Sequence, residues 1–197
     1  PGIAGNQNLA KNVEMDINNI EEILEFLKDS KVDLVIVGPE KPLVNGIVDF
    51  LENNNIKVFG PRKIPSQLEG SKTFTKNICK KYNIPTAKFG IFETKENAIN
   101  FLKNSKFPIV IKADGLASGK GVYISKNLIE AKEAVKEIFD GKFGKANKIL
   151  VEEFLNGDEM SFFIVCDGKN YKVFKTAQDH KRVDEGDKGK NTGGMGS

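Results

Sequence analysis

The sequence predicts an α/β fold, and three features carry that reading. Stretches with apolar residues at three- and four-residue spacing alternate with short apolar runs of strand length. Glycine and proline punctuate them, as at Gly38-Pro39 and Gly60-Pro61, where a strand must give way to a helix. The 197 residues are enough to bury a real core, and 39% hydrophobic with 29% charged residues exclude a disordered or collagen-like chain.

Taken in order, Ile17, Ile20, Ile23, Leu24 and Leu27 mark one face of an amphipathic helix. Residues 33–37 read as a buried strand that ends at Gly38-Pro39-Glu40. Leu43, Ile47, Phe50 and Leu51 return to helical spacing, and residues 56–59 form another short strand. Helix, strand, helix, strand implies a parallel layer. Ligands bind such layers at the carboxyl ends of strands, which makes Gly38, Pro39 and Glu40 substrate-binding candidates, although an ordinary strand-to-helix turn reads the same way.

A break near residues 60–70 leads into a second block. It comprises a helix at 71–82, a strand at 87–92, a helix at 95–102 and a strand at 108–112. After a glycine-rich loop come a strand at 122–125, a helix carrying Leu128, Ala131, Ala134, Val135 and Ile138, and a strand at 149–154. Residues 160–166 and 171–177 read as an antiparallel pair turning at Asp167-Gly168. From Gln178 onward the polar, glycine-rich sequence is expected to be loop.

Thirty basic residues against 27 acidic ones give a net charge of +3, too near balance to mark a nucleic-acid partner. Arg62 and Arg182 are the only arginines, which disfavours a site built on clustered guanidinium forks. The longest apolar runs fall far short of the ~20 residues that span a bilayer, and no secretory leader opens the chain, so no membrane partner is expected. Cys79 and Cys166 form neither a CxxC pair nor a disulfide framework; they are expected to be buried, inert thiols in a reducing, cytoplasmic setting. A start at Pro1 and a stop at Ser197 inside a glycine-rich run are expected of a piece of a longer chain.

The richest segment is Ile109-Val-Ile-Lys-Ala-Asp-Gly-Leu-Ala-Ser-Gly-Lys-Gly-Val122. It is not a P-loop: Gly115 stands too close to Gly119-Lys120, Gly121 follows where Ser or Thr is needed, and a strand follows in place of a helix. It offers instead Lys112 as an ammonium near a strand end, then small residues whose backbone N–H groups can approach phosphate oxygens. That is the pattern of a phosphate-covering flap between two strands. Further on, Val151-Glu-Glu-Phe-Leu155 puts carboxylates beside apolar residues at a strand end, as adenine edges and ribose hydroxyls require, and Glu159 is a second ribose candidate. Alone, Glu152 and Glu153 would read as strand-edge charges; their order after the lysine-ended strand and the flap favours a nucleotide pocket.

Five ordered motifs then bear a resemblance: Gly70-Ser-Lys-x-Phe-Thr-Lys76, Ile111-Lys-Ala-Asp-Gly-Leu-Ala-x-Gly-Lys-Gly-Val122, Glu152-Glu-Phe-Leu-x-Gly-x-Glu159, Gln178-Asp-His-Lys-Arg182 and Asn191-Thr-Gly-Gly-Met-Gly196. Together with Val37-Gly-Pro-Glu-x-Pro-Leu43 they resemble the phosphoribosylamine–glycine ligase family over essentially the whole chain. The resemblance implies an ATP-grasp carboxylate–amine ligase of purine biosynthesis, joining glycine to 5-phosphoribosylamine through glycyl phosphate. It implies a Rossmann-like pre-ATP-grasp domain over 1–69, the start of the ATP-grasp core over 70–92, a lid subdomain over 93–157 and more of the core over 158–197.

By the same resemblance Lys76 and Lys112 contact the nucleotide phosphates. Ser118, Gly119, Lys120, Gly121 and Val122 form the flap, Glu152, Glu153, Phe154 and Leu155 the adenine strand, and Glu159 the ribose carboxylate. Asp179 and Arg182 would orient the amine and hold an anionic group, with His180, Lys181, Thr192, Gly193 and Gly194 near the substrates. Magnesium or manganese is implied, with its ligands expected beyond Ser197, and these residues alone are not expected to turn over. The other readings are a different ATP-grasp carboxylate–amine ligase and a non-catalytic nucleotide-binding module.

Overall fold

A computed structural model of the chain describes residues 10–116, 121–144, 146–186 and 188–196, which divide into two compact units, one up to Phe154 and one from Leu155. In the first unit the Asn19 side chain accepts the Glu22 N–H and so starts α1 (Ile20–Asp29); Ile17, read as part of that helix, lies ahead of the cap. β1 (Val35–Ile36) and β2 (Val58–Phe59) pair in parallel, with Val35 opposite Val58. The single helix expected between them is two, α2 (Glu40–Asn45) and α3 (Ile47–Asn53), because Gly46 at φ 97° sits in the left-handed conformation that ends the first.

Leu24, Leu27, Leu43, Ile47, Val48 and Leu51 bury together as one core, with Val35 and Val37 packed against it. β1 is not the buried strand its apolar run suggests: Leu34 is 50% and Ile36 70% exposed. Only one face of this two-stranded layer lies on the core, so alternate residues of the run point away from it.

α4 (Gln67–Gly70) leads into α5 (Lys72–Tyr82), which Ser71 caps by accepting the Phe74 N–H. The rest of this unit is a four-stranded sheet. Its strands β3 (Phe89–Phe92), β4 (Ile109–Ala113), β5 (Val122–Ser125) and β6 (Ile149–Glu153) lie in the order β3-β6-β4-β5, every pair antiparallel. α6 (Lys95–Leu102) and α7 (Leu128–Phe139), capped by Thr94 and Asn127, cover one face. There Ala98, Leu102, Ala131, Val135 and Ile138 meet Ile109, Ile111, Ile149 and Val151 in the second core.

In the second unit β7 (Ile164–Cys166) and β8 (Tyr171–Val173) form the expected antiparallel pair. The Asp167 carboxylate accepts the N–H groups of Asn170 and Lys169 at the turn, which holds it below the usual carboxylate range. The stretch from Gln178 onward is not loop: β9 (Asp179–Asp184) and β10 (Lys188–Gly196) pair antiparallel. Main-chain pairing needs no apolar alternation, and Gly186 at φ 71° supplies the turn, so the strand signal is missing from the side chains. Two register shifts, between Lys188 and Asn191 and between Asn191 and Met195, put bulges in β10. The thiols also differ from expectation, Cys166 being exposed on the thin β7–β8 ribbon and Cys79 half-buried. Among the described residues no helix is long and apolar enough to cross a membrane.

Candidate functional site

The sheet of the first unit has two chemically different faces. Along β4 the burial alternates, Ile109, Ile111 and Ala113 pointing into the helix-covered core and Val110 and Lys112 to the opposite side. The register places Val110 opposite Glu152 and Phe89 opposite Glu152, so Lys112, Glu152 and Phe89 share that opposite face. Lys112 stands two residues from Val110 and is therefore a diagonal neighbour of Glu152, within reach of a long side chain.

The reach is used. Lys112 Nζ lies 3.0 Å from Glu152 Oε2, and Lys76 Nζ, arriving from α5, lies 3.3 Å from the same oxygen. Lys76 also donates to the Thr86 hydroxyl at 2.6 Å and the Ala87 carbonyl at 3.4 Å, with its ammonium 5.3 Å from the centre of the Phe89 ring. Lys76 is only 8% and Glu152 5% exposed. Two ammonium groups so close repel, and the shared carboxylate offsets that repulsion where screening by water is weak. The result is a half-buried cluster with one more positive than negative charge, built from a helix and two strands.

A second polar cluster adjoins it. Asp114, just past the end of β4, accepts the Ser71 hydroxyl at 3.2 Å and the Thr73 N–H at 3.1 Å, both at the start of α5. Lys72 Nζ donates to the Gly115 carbonyl at 2.8 Å. Burial pushes the Lys72 ammonium below the usual lysine range, against the pull of Asp114. Neither Lys72 nor Asp114 stood among the site residues read from the sequence. The signal was available in Ser71, a cap residue, and in Asp114-Gly115 closing a lysine-bearing strand.

The remaining expected residues fall in several places. Glu153 does not face the lysines: its carboxylate accepts the Lys88 N–H at 2.8 Å and its own N–H donates to the Lys88 carbonyl, extending the β3–β6 pairing. Phe154 follows, 39% exposed. Gly121 is buried, its carbonyl accepting the Ala113 N–H at 2.8 Å, and Val122 opens β5; Ser118, Gly119 and Lys120 lie outside the described residues. Gly38, Pro39 and Glu40 are exposed where β1 passes into α2, with Pro39 at the helix cap.

In the second unit Leu155 is exposed, and Glu159 lines a shallow depression with Asp158, Met160, Thr176, Ala177 and Gln178. Asp179 pairs with Gly196 and His180 with Met195 across the β9–β10 ribbon. Arg182 pairs with Asn191, so Lys181 on β9 and Thr192, Gly193 and Gly194 on β10 fall in the interval between that pair and the His180–Met195 pair, where the register shifts. Among the described residues no group of three or more His, Cys, Asp or Glu could hold a metal ion. Asp114 and Glu152, the carboxylates beside the lysines, are taken up by hydroxyl, N–H and ammonium donors, so this cluster does not fit a divalent cation.

A sheet with a lysine on one of its strands, a second lysine from a neighbouring helix and a glycine-rich connection to the next strand is an ATP-grasp arrangement. A biotin carboxylase from Campylobacter jejuni, solved as a β-γ-ATP complex, shares the fold over 83% of this chain and 38% of its own, with a TM-score of 0.70 at 19% identity. Family models narrow this: the phosphoribosylglycinamide synthetase N domain matches residues 1–69 and its ATP-grasp (A) domain residues 70–197. The chain belongs to the phosphoribosylglycinamide synthetase family. The phosphoribosylamine–glycine ligase of Mesorhizobium japonicum is 50% identical over 100% of this chain and 46% of its own length. The solved phosphoribosylamine–glycine ligase of Thermotoga maritima is 35% identical, with a TM-score of 0.83 over 99% of this chain and 47% of its own. The chain thus spans about half the length of these relatives.

Proposed function

We propose that the whole protein joins glycine to 5-phosphoribosylamine, with ATP hydrolysed to ADP and phosphate. The observation that carries this is the pair of ammonium groups, Lys76 and Lys112, gathered on one carboxylate oxygen on the face of an ATP-grasp sheet opposite its α6–α7 core. The glycine carboxylate attacks the γ-phosphorus, the bond to the bridging oxygen of ADP breaks, and glycyl phosphate forms. The amine then attacks the acyl carbon and phosphate leaves. Two anions must meet in the first step, and two ammonium groups already brought together lower that repulsion.

In this reading Lys76 and Lys112 exchange Glu152 for phosphate oxygens, residues 118–122 close over them, residues 152–155 line the adenine and Glu159 binds the ribose. Closure excludes water, which would otherwise hydrolyse glycyl phosphate. Asp179 orients the amine and Arg182 holds an anionic group, with Gly38–Glu40, His180, Lys181 and Thr192–Gly194 toward the substrates. The division into 1–69, 70–92, 93–157 and 158–197 belongs to the same proposal, as do a requirement for magnesium or manganese and a cytoplasmic location.

The test is Lys112→Met in the whole protein. Loss of one fixed ammonium from the phosphate site should lower kcat/KM for ATP by roughly a hundredfold or more, with the KM for glycine changed little. Unchanged ATP kinetics would refute the assignment.

A further inference from the structure

We propose that Asp114 is a positioning residue that fixes the separation of Lys76 and Lys112, with Lys72 completing the same tie; the inference rests on the nucleotide reading above. Lys112 lies on β4, two residues before Asp114, and Lys76 lies one helical turn beyond Thr73 on α5. The main-chain N–H of Asp114 donates to the carbonyl of Lys148 at 3.3 Å, just before the strand that carries Glu152. Its side chain leaves the sheet and takes the Ser71 hydroxyl and the Thr73 N–H, while Lys72 holds the next carbonyl, that of Gly115. The tie therefore runs directly from the strand bearing one lysine to the helix bearing the other.

What gives this tie its weight is that α5 has no fully buried apolar side chain. Neither hydrophobic core contains a residue of this helix among the described residues. Its buried residues are Thr73 and Lys76, both polar. Polar contacts tie the helix to its neighbours: those of Asp114 and Lys72 at its first turn, the Thr75 hydroxyl on the Leu68 carbonyl, and Lys76 further along, which pairs with Glu152 and donates to Thr86 and Ala87. Lys76 must exchange that ion pair for phosphate when a nucleotide binds, so at that moment the Asp114 and Lys72 contacts keep the start of α5 in register with β4, and the Thr86 and Ala87 oxygens are what the ammonium itself retains. Carboxylate geometry suits the task, because one group accepts both an O–H and an N–H and offsets the charge of Lys72 nearby.

The experiment is a double-mutant cycle in the whole protein, reading the Kd of Mg-ATP by calorimetry for the parent, Asp114→Ala, Lys76→Met and the double variant. A residue that acts by placing Lys76 loses its effect once Lys76 is gone. Asp114→Ala should weaken ATP binding roughly tenfold or more in the parent, the scale on which a misplaced group is felt, and less than about twofold in the Lys76→Met background. Equal losses in both backgrounds, or no loss in either, would overturn the inference. Should Asp114→Ala fail to fold by circular dichroism, Asp114→Asn, which keeps one acceptor oxygen, takes its place with a smaller loss that must again vanish without Lys76. A folded parent that binds no ATP would overturn the nucleotide reading itself, whereas ATP binding with additive losses would overturn only the role of Asp114.

Discussion

Glu152→Gln is the substitution whose cost follows most directly from the structure. The side chain is 6% exposed and its Oε2 faces Lys76, 11% exposed, and Lys112, 28% exposed. Glutamine keeps the shape and an acceptor oxygen but removes the charge that lets two ammonium groups sit together. Lys112 can turn toward water; Lys76 cannot, and keeps only the Thr86 hydroxyl and the Ala87 carbonyl. Removing one partner of a buried pair costs about 3–5 kcal/mol, and the two remaining acceptors put this case at or just below the lower end, about 2–3 kcal/mol. Chemical denaturation of the whole protein, followed by circular dichroism, measures it. Adding Lys76→Met removes the stranded charge, so the double variant should recover most of the loss. A single variant within about 0.5 kcal/mol of the parent, or a double variant no more stable than the single, would refute the reasoning.

Other outcomes follow from local geometry. Gly46→Ala forces a side chain into the left-handed conformation between α2 and α3 at φ 97° and should cost about 1–2 kcal/mol in the same assay. The added carbon would meet only the flexible Lys63 side chain, at 3.2 Å, so the backbone sets the cost, and an unchanged denaturation midpoint would contradict it. Glu137 accepts from Lys142 at 2.6 Å and from the Tyr123 hydroxyl at 2.5 Å, contacts that hold its carboxyl below the usual range. Because the folded-state pKa is depressed, its stabilisation is present above the ordinary carboxylate range and is lost as pH falls through the folded value. Stability of Glu137→Gln against the parent should therefore converge in acid and also at high salt, since the pair is exposed; a pH-independent difference would argue otherwise.

Element existence was legible wherever a packed core imposed a period. Leu128, Ala131, Ala134, Val135 and Ile138 mark α7 because they face the sheet, and the alternation of β4 follows from one buried face. Boundaries and pairings were less legible, since they depend on partners far along the chain. Gly46 divides a helix that the apolar spacing runs through, and the β9–β10 pairing rests on main-chain bonds that leave no apolar alternation. Within the candidate site, Lys112 announced itself by standing at the end of an apolar strand. Its meeting with Lys76 on a single oxygen depends on the β4–β6 register, forty residues of chain apart, and no local pattern encodes that. Glu152 and Glu153 look alike in sequence, yet the pleat sends one to the lysines and the other to the Lys88 backbone.

The most direct measurement is ADP release by the whole protein with Mg-ATP, glycine and freshly generated phosphoribosylamine, omitting each substrate in turn. Release that requires both glycine and the amine is the predicted result, because in the proposed route the glycine carboxylate takes the γ-phosphoryl group from ATP and the amine then takes the glycyl group, releasing phosphate. Release that proceeds with neither, or no release with all three present, would contradict the ligase account.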